Sequence, residues 1–564
     1  MNDNKLKISE EEKGKEEPLV KENDTLEDSQ SKKRLLLLYG GTVGGMLFVV
    51  IIVFIISLKV GGSSSNGEEG GKIFAVYETK EGNATVKLIS SKYKDYIGSI
   101  KVNGKDKNFN ETYLFEKVGE YKVEIVFKKK LDILEEMFKY CSYLKEVNLT
   151  NLETKDVTNM TGMFYQSKNL EKVDFGKKTE KITKMDYLFY GCFYLTQENI
   201  LNLNTHNVID MSYMFAKCTK ISYFNLEKIN TQKVEKMKGF FYQTTLESLE
   251  IPKNFAPELT DISEMFKDCS SLTKLNMENL DTSKITNMSQ LFHNCIHLSS
   301  LDTKNLNTKN VIDMSYLFYG CSDLNSIDIT NLDTSNVEDM KYMFAACTGL
   351  TSLNLGGNFV TKKVKNMKYM FYRLIGLKSL DLSRFTTNEV ISMEGMFDDC
   401  SSLESLDLSP FDTSNVEDMS FMFASSSKLS EIDLHNFNTK KVVSMYNMFY
   451  GCSGLTDINL DLFETSNLKI MSGMFYGCKS LSTLNLSKFV TTKVEKMDET
   501  FAYCSSLESL DIRNFDTSLI DEKTYLFIGI SEIGKLIYNS KTFDNKFIKN
   551  TNVEKWEKED ISKN

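Results

Sequence analysis

The sequence predicts an α/β solenoid, a parallel β array of about sixteen coils of about 26 residues, in which each coil buries its apolar side chains against the next. One observation is the phrase MxxMFxxCxxLxxLxL, whose Phe recurs every 25 to 27 residues from Phe138 to a degraded last copy at Phe527. Another is that all of the 26 Met except Met1, Met46 and Met277 fall on the two Met positions of this phrase. The third is that all 11 Cys fall on its Cys position.

Each coil is expected to contain one short strand and one return segment. Residues 403–408 read LESLDL, and the spacing Leu-x-x-Leu-x-Leu is the strand signature of leucine-rich repeats. Further along, Val416, Met419 and Met422 are three residues apart, as on one face of a short helix. The sequence therefore predicts parallel strands on one side of the solenoid and helical turns on the other.

An apolar run near the N-terminus predicts a transmembrane helix. It extends from Leu35 to Leu58 without a charged residue, and at ~1.5 Å per residue it spans a hydrocarbon core of ~30 Å. Residues 32–34 (KKR) precede it, whereas only Lys59 follows closely, so the positive-inside rule places the N-terminus in the cytoplasm. We expect a single-pass signal anchor in the plasma membrane with an extracellular C-terminal ectodomain. A cleaved signal peptide is the alternative, but its apolar stretch is typically only ~7–15 residues.

The rest of the chain divides by composition. Residues 1–34 are rich in charge and poor in apolar groups, which predicts a disordered cytoplasmic tail. Residues 59–71 contain GGSSSNGEEGG and are expected to form a flexible linker. In residues 72–130 apolar and polar side chains alternate, which predicts a small β-sandwich-like domain that caps the solenoid. The solenoid is assigned to residues 131–530 and a C-terminal cap to residues 531–564.

Composition and charge argue against several classes of function. The chain of 564 residues has 68 Lys and Arg against 78 Asp and Glu, a net charge of −10, so the basic surface of a nucleic-acid-binding protein is not expected. There are only four His, and no metal-binding, phosphate-binding or nucleophile motif is recognisable. The sequence therefore predicts a protein that is not an enzyme and has no cofactor or metal.

The cysteines occupy a single position three residues after the Phe. Parallel strands ~4.8 Å apart would bring Cys of neighbouring coils within disulfide range, yet Cys141 and Cys400 have no Cys in an adjacent coil. Ser167, Thr244 and Ser426 replace Cys at this position, as small packing residues would. Buried free thiols are therefore preferred, with disulfides and a metal site as alternatives. The structural ladder so predicted comprises Cys192, Cys218, Cys269, Cys295, Cys321, Cys347, Cys400, Cys452, Cys478 and Cys504.

A polar residue lies between the last two apolar positions of each predicted strand. Strand alternation points it away from the core, so these residues form a stripe on the exposed sheet. One interpretation is a solvated Asn/Asp ladder that keeps the sheet soluble. The other is a binding stripe for a cationic partner or divalent ions. The candidate ligand-binding residues are Asp302, Asp328, Asn354, Asp381, Asp407, Asp433, Asn459 and Asn485.

Two further rows are expected to serve the architecture. Thr recurs three residues before the Val of the return segment, where its hydroxyl is expected to bond the turn backbone. Tyr recurs beside the core Met and Phe and is interpreted as packing at the edge of the core, with an exposed aromatic strip for ligands as the alternative. The tyrosines considered are Tyr213, Tyr316, Tyr342, Tyr369 and Tyr446.

The repeated phrase, for example LDLSPFDTSNVEDMSFMF at residues 406–423, resembles the BspA-like leucine-rich repeat surface proteins of bacteria, mycoplasmas and some parasitic protists. The resemblance covers about residues 131–540. It implies a surface protein that binds macromolecules of a host or a neighbouring cell. The N-terminal anchor and the tail before it differ from the lipoprotein and wall-anchored members of that family.

Together these features predict a membrane-anchored surface protein whose repeat ectodomain binds extracellular or host proteins or glycans, and no nucleic acid. The main alternative is a structural or shielding coat protein without a specific ligand. A receptor that signals through residues 1–34 is a third hypothesis, although that tail contains no recognisable module.

Overall fold

The computed structural model describes residues 70–177, 179–521 and 525–563. The predictions for the cytoplasmic tail, for the anchor at residues 35–58 and for nearly all of the linker fall outside the described residues. Within those residues, no helix combines the length and the hydropathy that a membrane crossing requires.

The described chain begins with six strands, all paired antiparallel. Four of them form a sheet in the order β4-β3-β6-β1, and β2 and β5 form a separate two-stranded sheet. In β1 the side chains of Ile73, Ala75 and Tyr77 are buried and alternate with more exposed ones, as the alternating sequence predicts. The strands are β1 (Gly71–Thr79), β2 (Ala84–Lys87), β3 (Ile97–Val102), β4 (Lys105–Lys107), β5 (Thr112–Phe115) and β6 (Gly119–Phe127).

This N-terminal sheet is continuous with the solenoid. The free edge of β1 pairs antiparallel with β7 (Leu144–Asn148), the strand of the first coil, so that Ala75 lies opposite Val147. β8 (Lys172–Asp174) and β9 (Ile200–Leu201) follow in parallel. A sandwich-like domain is therefore not shown in the described residues, where the N-terminal strands continue the sheet of the solenoid. Pairing with β7 covers a sheet edge that would otherwise expose unpaired backbone groups.

The predicted parallel array is confirmed as a β-solenoid of about sixteen coils of about 26 residues. Strands of neighbouring coils pair in register, with Leu275 opposite Leu301 and Ile327 opposite Leu353. The middle residue of each short strand points inward, and the residues on either side point outward. The later strands are β10 (Ser248–Glu250), β11 (Lys274–Asn276), β12 (Ser300–Leu301), β13 (Ser326–Asp328), β14 (Ser352–Asn354), β15 (Thr483–Asn485), β16 (Ser509–Asp511), β17 (Lys535–Tyr538) and β18 (Glu557–Asp560).

The return segments are not helical, so the α part of the predicted class is wrong. The described residues contain short 3-10 segments but no α-helix. In the coil of Phe344, the backbone N–H groups of Tyr342 and Phe344 donate to Lys368 and Met370 of the next coil, at 2.8 and 3.0 Å. An α-helix would instead satisfy these groups within itself. Tyr342 and Ala346 have φ of 55° and 58°, left-handed values that recur two residues before and two after the Phe in nearly every coil.

The interior is one continuous apolar core. Met340, Met343 and Phe344 are fully buried, as are the equivalent residues of the other coils. The Phe rings stack from coil to coil, with the centroid of Phe344 5.8 Å from that of Phe318 and 6.0 Å from that of Phe371. Because each ring lies between two neighbours, a coil reaches full burial only within the stack.

The sheet is interrupted where two coils depart from the repeat. These two coils contain the 3-10 segments Gln197–Asn199 and Leu226–Lys228. The described residues between Leu201 and Ser248 form no strand. Buried Gln197 replaces the missing strand pairing: its Nε2 donates to the Asn225 carbonyl and its Oε1 accepts from the Asn225 N–H, both at 2.7 Å. Asn199, which the repeat alignment would place on the polar stripe, lies in the first of these segments, and Leu201 pairs with Asp174 instead.

The C-terminal end of the stack is closed by β18, whose sequence is EKED and whose first three side chains are exposed. Trp556, just before it, is buried against Gly534, where an added Cβ would lie 2.7 Å from the indole ring. A short 3-10 turn, Asn552–Lys555, directly precedes Trp556. A charged edge strand opposes pairing with another chain.

Candidate functional site

The residues of the predicted polar stripe are all exposed. Asp328, Asn354 and Asn485 end β13, β14 and β15, and Asp302 directly follows β12. The other four candidates lie between β14 and β15, where the described residues form no strand, and are Asp381, Asp407, Asp433 and Asn459. In seven of the eight candidates a side-chain oxygen accepts a hydrogen bond from the backbone N–H two residues later, at 2.9–3.1 Å. For example, Asp407 Oδ1 accepts from the N–H of Ser409 at 2.9 Å. This is an Asx turn, in which a short polar side chain fixes the local backbone. The residues with this bond are Asp302, Asp328, Asp381, Asp407, Asp433, Asn459 and Asn485.

The same bonds keep the stripe ionised. Hydrogen bonds from Ser383 lower the pKa of Asp381, and those from Ser409 lower the pKa of Asp407, although the charges of Asp381 and Asp433 oppose the latter shift. All three aspartates are exposed. Because the charges of Asp381 and Asp433 both act on Asp407, the three carboxylates form a row of neighbouring negative charges that faces solvent.

A row of small residues runs beside the stripe. Ser326 and Ser352 lie opposite each other in β13 and β14, next to the pair Asp328 and Asn354. We call the stripe and this serine row together the sheet face. Its serines are all exposed and are Ser300, Ser326, Ser352, Ser379 and Ser405.

Asp302 lies at a shallow depression in the sheet face, of about 420 Å³. Lys274 and Lys304 line the same depression, and Lys304 Nζ is 3.7 Å from Asp302 Oδ2. The sheet face is therefore polar, with both signs of charge at its β11–β12 part. Further along, Asp381, Asp407 and Asp433 form an acidic stretch, in which Arg384 acts on Asp381 and His435 Nδ1 lies 2.8 Å from Asp433 Oδ1.

The eleven cysteines are free thiols, and all are buried. Each thiol from Cys192 onward donates a hydrogen bond to the carbonyl of the Phe in the preceding coil. The bond from Cys347 to Phe318, for example, is 3.0 Å long. Ser426 makes the same bond to Phe397 at 2.8 Å, which explains why Ser replaces Cys at this position. Burial raises the pKa of the Cys347 thiol to about 12, so it remains protonated and unreactive at neutral pH.

The described residues contain no group of three or more His, Cys, Asp or Glu side chains placed to hold a metal ion. His293, Cys295 and His297 are close in sequence, but each makes its own contacts. His297 Nδ1 lies 2.9 Å from an Asp323 carboxylate oxygen, His293 faces Asp268, and Cys295 is in the core.

The threonine row links coils rather than bonding its own turn as we expected. Thr413 Oγ1 donates to the carbonyl of Asn438 in the next coil at 3.0 Å and accepts from the N–H of Asn438 at 2.8 Å. Equivalent paired bonds recur at Thr387 with Asp412 and at Thr439 with Glu464. A fully buried hydroxyl thus satisfies two backbone groups of the neighbouring coil.

The tyrosines form stacked columns on the return side. The rings of Tyr316 and Tyr342 lie 4.6 Å apart and those of Tyr342 and Tyr369 4.9 Å apart, within 12° of parallel. Tyr213 similarly stacks on Tyr187 at 4.9 Å, whereas Tyr446 is more exposed and packs edge-on against Phe421. Stacked rings cover each other's faces, which favours packing at the edge of the core over a row of free aromatic faces.

A cleft of about 1000 Å³ opens where the sheet is interrupted, on one side of the segment Leu226–Lys228. Its walls come from four successive coils, and Asn, Lys and Gln supply eight of the eighteen lining residues. Sequence reasoning missed this cleft. Its signals in the sequence are Pro252 and Pro257, two of the four Pro in the chain, and the disturbed strand phrase at residues 195–203.

The comparisons with known proteins give one family match. A family model described as "Mycoplasma protein of unknown function, DUF285" matches residues 101–177, 176–248, 260–375, 350–458 and 456–563. A comparison with curated proteins gave no match.

Similar solved structures include three repeat proteins. A leucine rich cell surface protein from Faecalibacterium prausnitzii A2-165 is 13% identical, with 68% of this chain and 89% of that chain covered and a TM-score of 0.22. The functional domain of InlJ from Listeria monocytogenes, described as including a cysteine ladder, is 14% identical, with 78% and 75% covered and a TM-score of 0.18. The TLR13–ssRNA13 complex is 16% identical, with 70% and 66% covered and a TM-score of 0.17. With scores this low, nothing about function is taken from these proteins.

Proposed function

The chain belongs to the DUF285 family of Mycoplasma proteins of unknown function, whose model matches most of its length, and from this premise we propose that it is a non-catalytic, cell-surface binding protein. Its ligands would be extracellular or host macromolecules, protein or glycan. The resemblance of the repeats to BspA-like surface proteins favours the same role.

The observation that supports this proposal best is the preorganisation of the sheet face. The Asx turns fix the carboxylates of Asp381, Asp407 and Asp433 before any ligand arrives. A surface that is ordered in advance loses less conformational entropy on binding. Because these carboxylates are ionised and exposed, the ligand is expected to present cationic groups to them.

A test of the sheet face replaces three carboxylates without disturbing the turns. Asp381→Asn, Asp407→Asn and Asp433→Asn, combined in the full-length protein, keep the side-chain oxygen that accepts each turn bond. Binding to immobilised extracellular-matrix proteins and to host cells is then measured. The affinity of the wild-type protein's strongest ligand should fall about tenfold, because three exposed charge contacts are worth up to ~1 kcal/mol each.

The matched control removes three exposed carboxylates elsewhere, by Glu389→Gln, Glu417→Gln and Glu495→Gln. It should bind like the wild-type protein. Equal affinity of both variants would remove the stripe from the binding site. No binding across the whole panel would favour the structural or shielding coat protein.

Membrane attachment through residues 35–58, with the C-terminal part outside the cell, belongs to the same proposal. Protease added to intact cells should release the repeats while a tag placed before residue 1 stays protected. Digestion of the tag on intact cells would contradict this topology.

A further inference from the structure

The cleft beside the interrupted sheet differs in charge from the rest of the molecule. The chain has a net charge of −10, yet the described residues that line the cleft include Lys177, Lys228 and Lys253 with Glu227 as their only acidic member. Each of these three lysines is exposed, and none forms an ion pair with another described residue. The coils bring them together although they are 51 and 25 residues apart in sequence.

Amide side chains occupy the space between the lysines. Asn230 Oδ1 accepts from the N–H of Gln232 at 3.1 Å, and Gln232 Nε2 donates to the Asn254 carbonyl at 2.8 Å. Asn230 Nδ2 also lies 3.3 Å from His206 Nδ1. These contacts hold the polar groups of neighbouring coils in a fixed arrangement, so the wall of the cleft is built rather than a set of independent surface side chains.

The apolar part of the cleft is small. Leu203 and Ile229 are half-buried against the core, and Leu226 and Phe255 are almost fully buried. Protein partners are usually anchored by aromatic or Arg side chains in deep, water-free pockets. This cleft contains no Arg and no exposed aromatic side chain among its lining residues. Amides and lysines instead match the hydroxyl groups and fixed negative charges of an acidic sugar chain.

The geometry points to a binding site for an anionic oligosaccharide, one that carries sulfate or carboxylate groups, in the cleft lined by Lys177, Lys228 and Lys253. The lysines would hold the anionic groups, and the amides of Asn230 and its neighbours would bond the hydroxyls between them. This site is separate from the sheet face. It deepens the proposed binding function by naming a ligand class, and it can stand or fall independently because its test uses different probes and different residues.

The test measures binding of defined probes to the purified full-length protein by isothermal titration calorimetry. The probes are a heparin octasaccharide, an oligogalacturonate of the same length, a neutral dextran octasaccharide and an octaglutamate peptide. The cleft variant combines Lys177→Ser, Lys228→Ser and Lys253→Ser. Its matched control combines Lys428→Ser, Lys479→Ser and Lys488→Ser, three exposed lysines that lie outside both the cleft and the depression at Asp302. A charge-conserving variant replaces the three cleft lysines by Arg.

At least one of the two acidic saccharides should bind, and dextran should not. The cleft variant should bind that saccharide about tenfold more weakly and with a smaller dependence on salt, since each exposed ion pair is worth up to ~1 kcal/mol. The control and the Arg variant should stay within about threefold of the wild-type affinity. Comparison of heparin with oligogalacturonate tells whether sulfate or carboxylate is preferred.

Three outcomes would overturn the proposal: no binding of either acidic saccharide, an equal loss of affinity in the cleft and control variants, or tighter binding of octaglutamate than of both saccharides. The last outcome would assign the cleft to an acidic peptide. Thermal unfolding of each variant checks that the substitutions leave the fold intact.

Discussion

At the scale of single residues, two exchanges at the cysteine position keep the hydrogen bond to the neighbouring coil, at Ser167 and Ser426, whereas Leu374 fills the same position with a buried apolar side chain. Ser426 takes the place of Cys because its hydroxyl reaches the Phe397 carbonyl as a thiol would. The pattern of Cys, Ser and Thr at one position could be read from the sequence as a packing choice. The carbonyl that accepts this hydrogen bond could not be identified from the sequence, because it lies 29 residues earlier in the chain and only the stacking of coils brings it close.

One buried carboxyl group makes stability depend on pH. Asp398 is only 7% exposed, and burial, followed by the charge of Asp399, raises its pKa to about 7, while Arg373 acts in the opposite direction. In the unfolded chain an Asp has a pKa of about 3.9. Between about pH 4 and pH 7 the folded state therefore binds more protons than the unfolded state, and stability falls as the pH rises through this window.

The expected result is that Asp398→Asn flattens this fall. Thermal unfolding of the wild-type protein and the variant, recorded from pH 4 to pH 8, should show the wild-type midpoint dropping relative to that of the variant as the pH increases. Asp457→Asn, at an exposed position, should follow the wild-type curve. Parallel curves for the wild-type protein and Asp398→Asn would contradict the assignment.

At the scale of elements, the return segment differs most from its sequence-based expectation. The spacing of Val416, Met419 and Met422 matches a helical face, yet these residues belong to a ladder of turns. Periodicity reports only which side chains point inward. It does not tell whether the backbone N–H and carbonyl groups bond within a segment or to the next coil. In this protein, residues with left-handed φ recur between the turns, and backbone N–H groups of the return segment donate to carbonyls of the next coil.

Two glycines at left-handed positions separate backbone strain from steric contact. Gly395 has φ of 59°, and an added Cβ would lie 2.0 Å from Cε1 of the Tyr369 ring. Gly477 has φ of 70°, but its nearest neighbour would be 3.7 Å away. Gly395→Ala should therefore destabilise the protein by about 1–3 kcal/mol more than Gly477→Ala. Both substitutions place an alanine at a left-handed φ, but only Gly395→Ala must also displace the Tyr369 ring.

Chemical denaturation measures this difference, and a second substitution identifies its cause. In a Tyr369→Ala background the excess cost of Gly395→Ala should disappear, as expected for two residues in contact. If Gly395→Ala and Gly477→Ala destabilise the wild-type protein equally, the predicted steric contact between residue 395 and the Tyr369 ring is contradicted.

At the scale of the whole molecule, the repeat length and the inward registers were predictable because each is copied about sixteen times. Features that occur only once in the chain could not be predicted in this way. The pairing of β1 with β7 depends on strands about 70 residues apart, which no local pattern encodes. The cleft arises from irregular coils around Gln197 and Leu226, where the sequence departs from the repeated motif. A prediction based on that motif therefore does not reveal the cleft.

The sheet face and the cleft differ in charge, since the stretch of Asp381, Asp407 and Asp433 is mainly acidic and lysines predominate among the charged residues of the cleft. The candidate stripe was visible in the sequence as a row of Asn and Asp, although its Asx-turn bonds show that most of its members also fix the backbone of their own coil. A residue can therefore serve both the architecture and a ligand. This is why the tests of the sheet face use Asn, which preserves the turn, rather than a smaller side chain.

The central claim is that about sixteen coils enclose one continuous interior, and the eleven thiols between Cys141 and Cys504 report on it along almost its whole length. The most direct measurement is alkylation of the native full-length protein with iodoacetamide at pH 8, with labelled sites counted by mass spectrometry before and after denaturation. No cysteine should react in the native state and all eleven should react after unfolding, without prior reduction. Rapid labelling of several cysteines in the native protein, or disulfides that require reduction, would contradict the account.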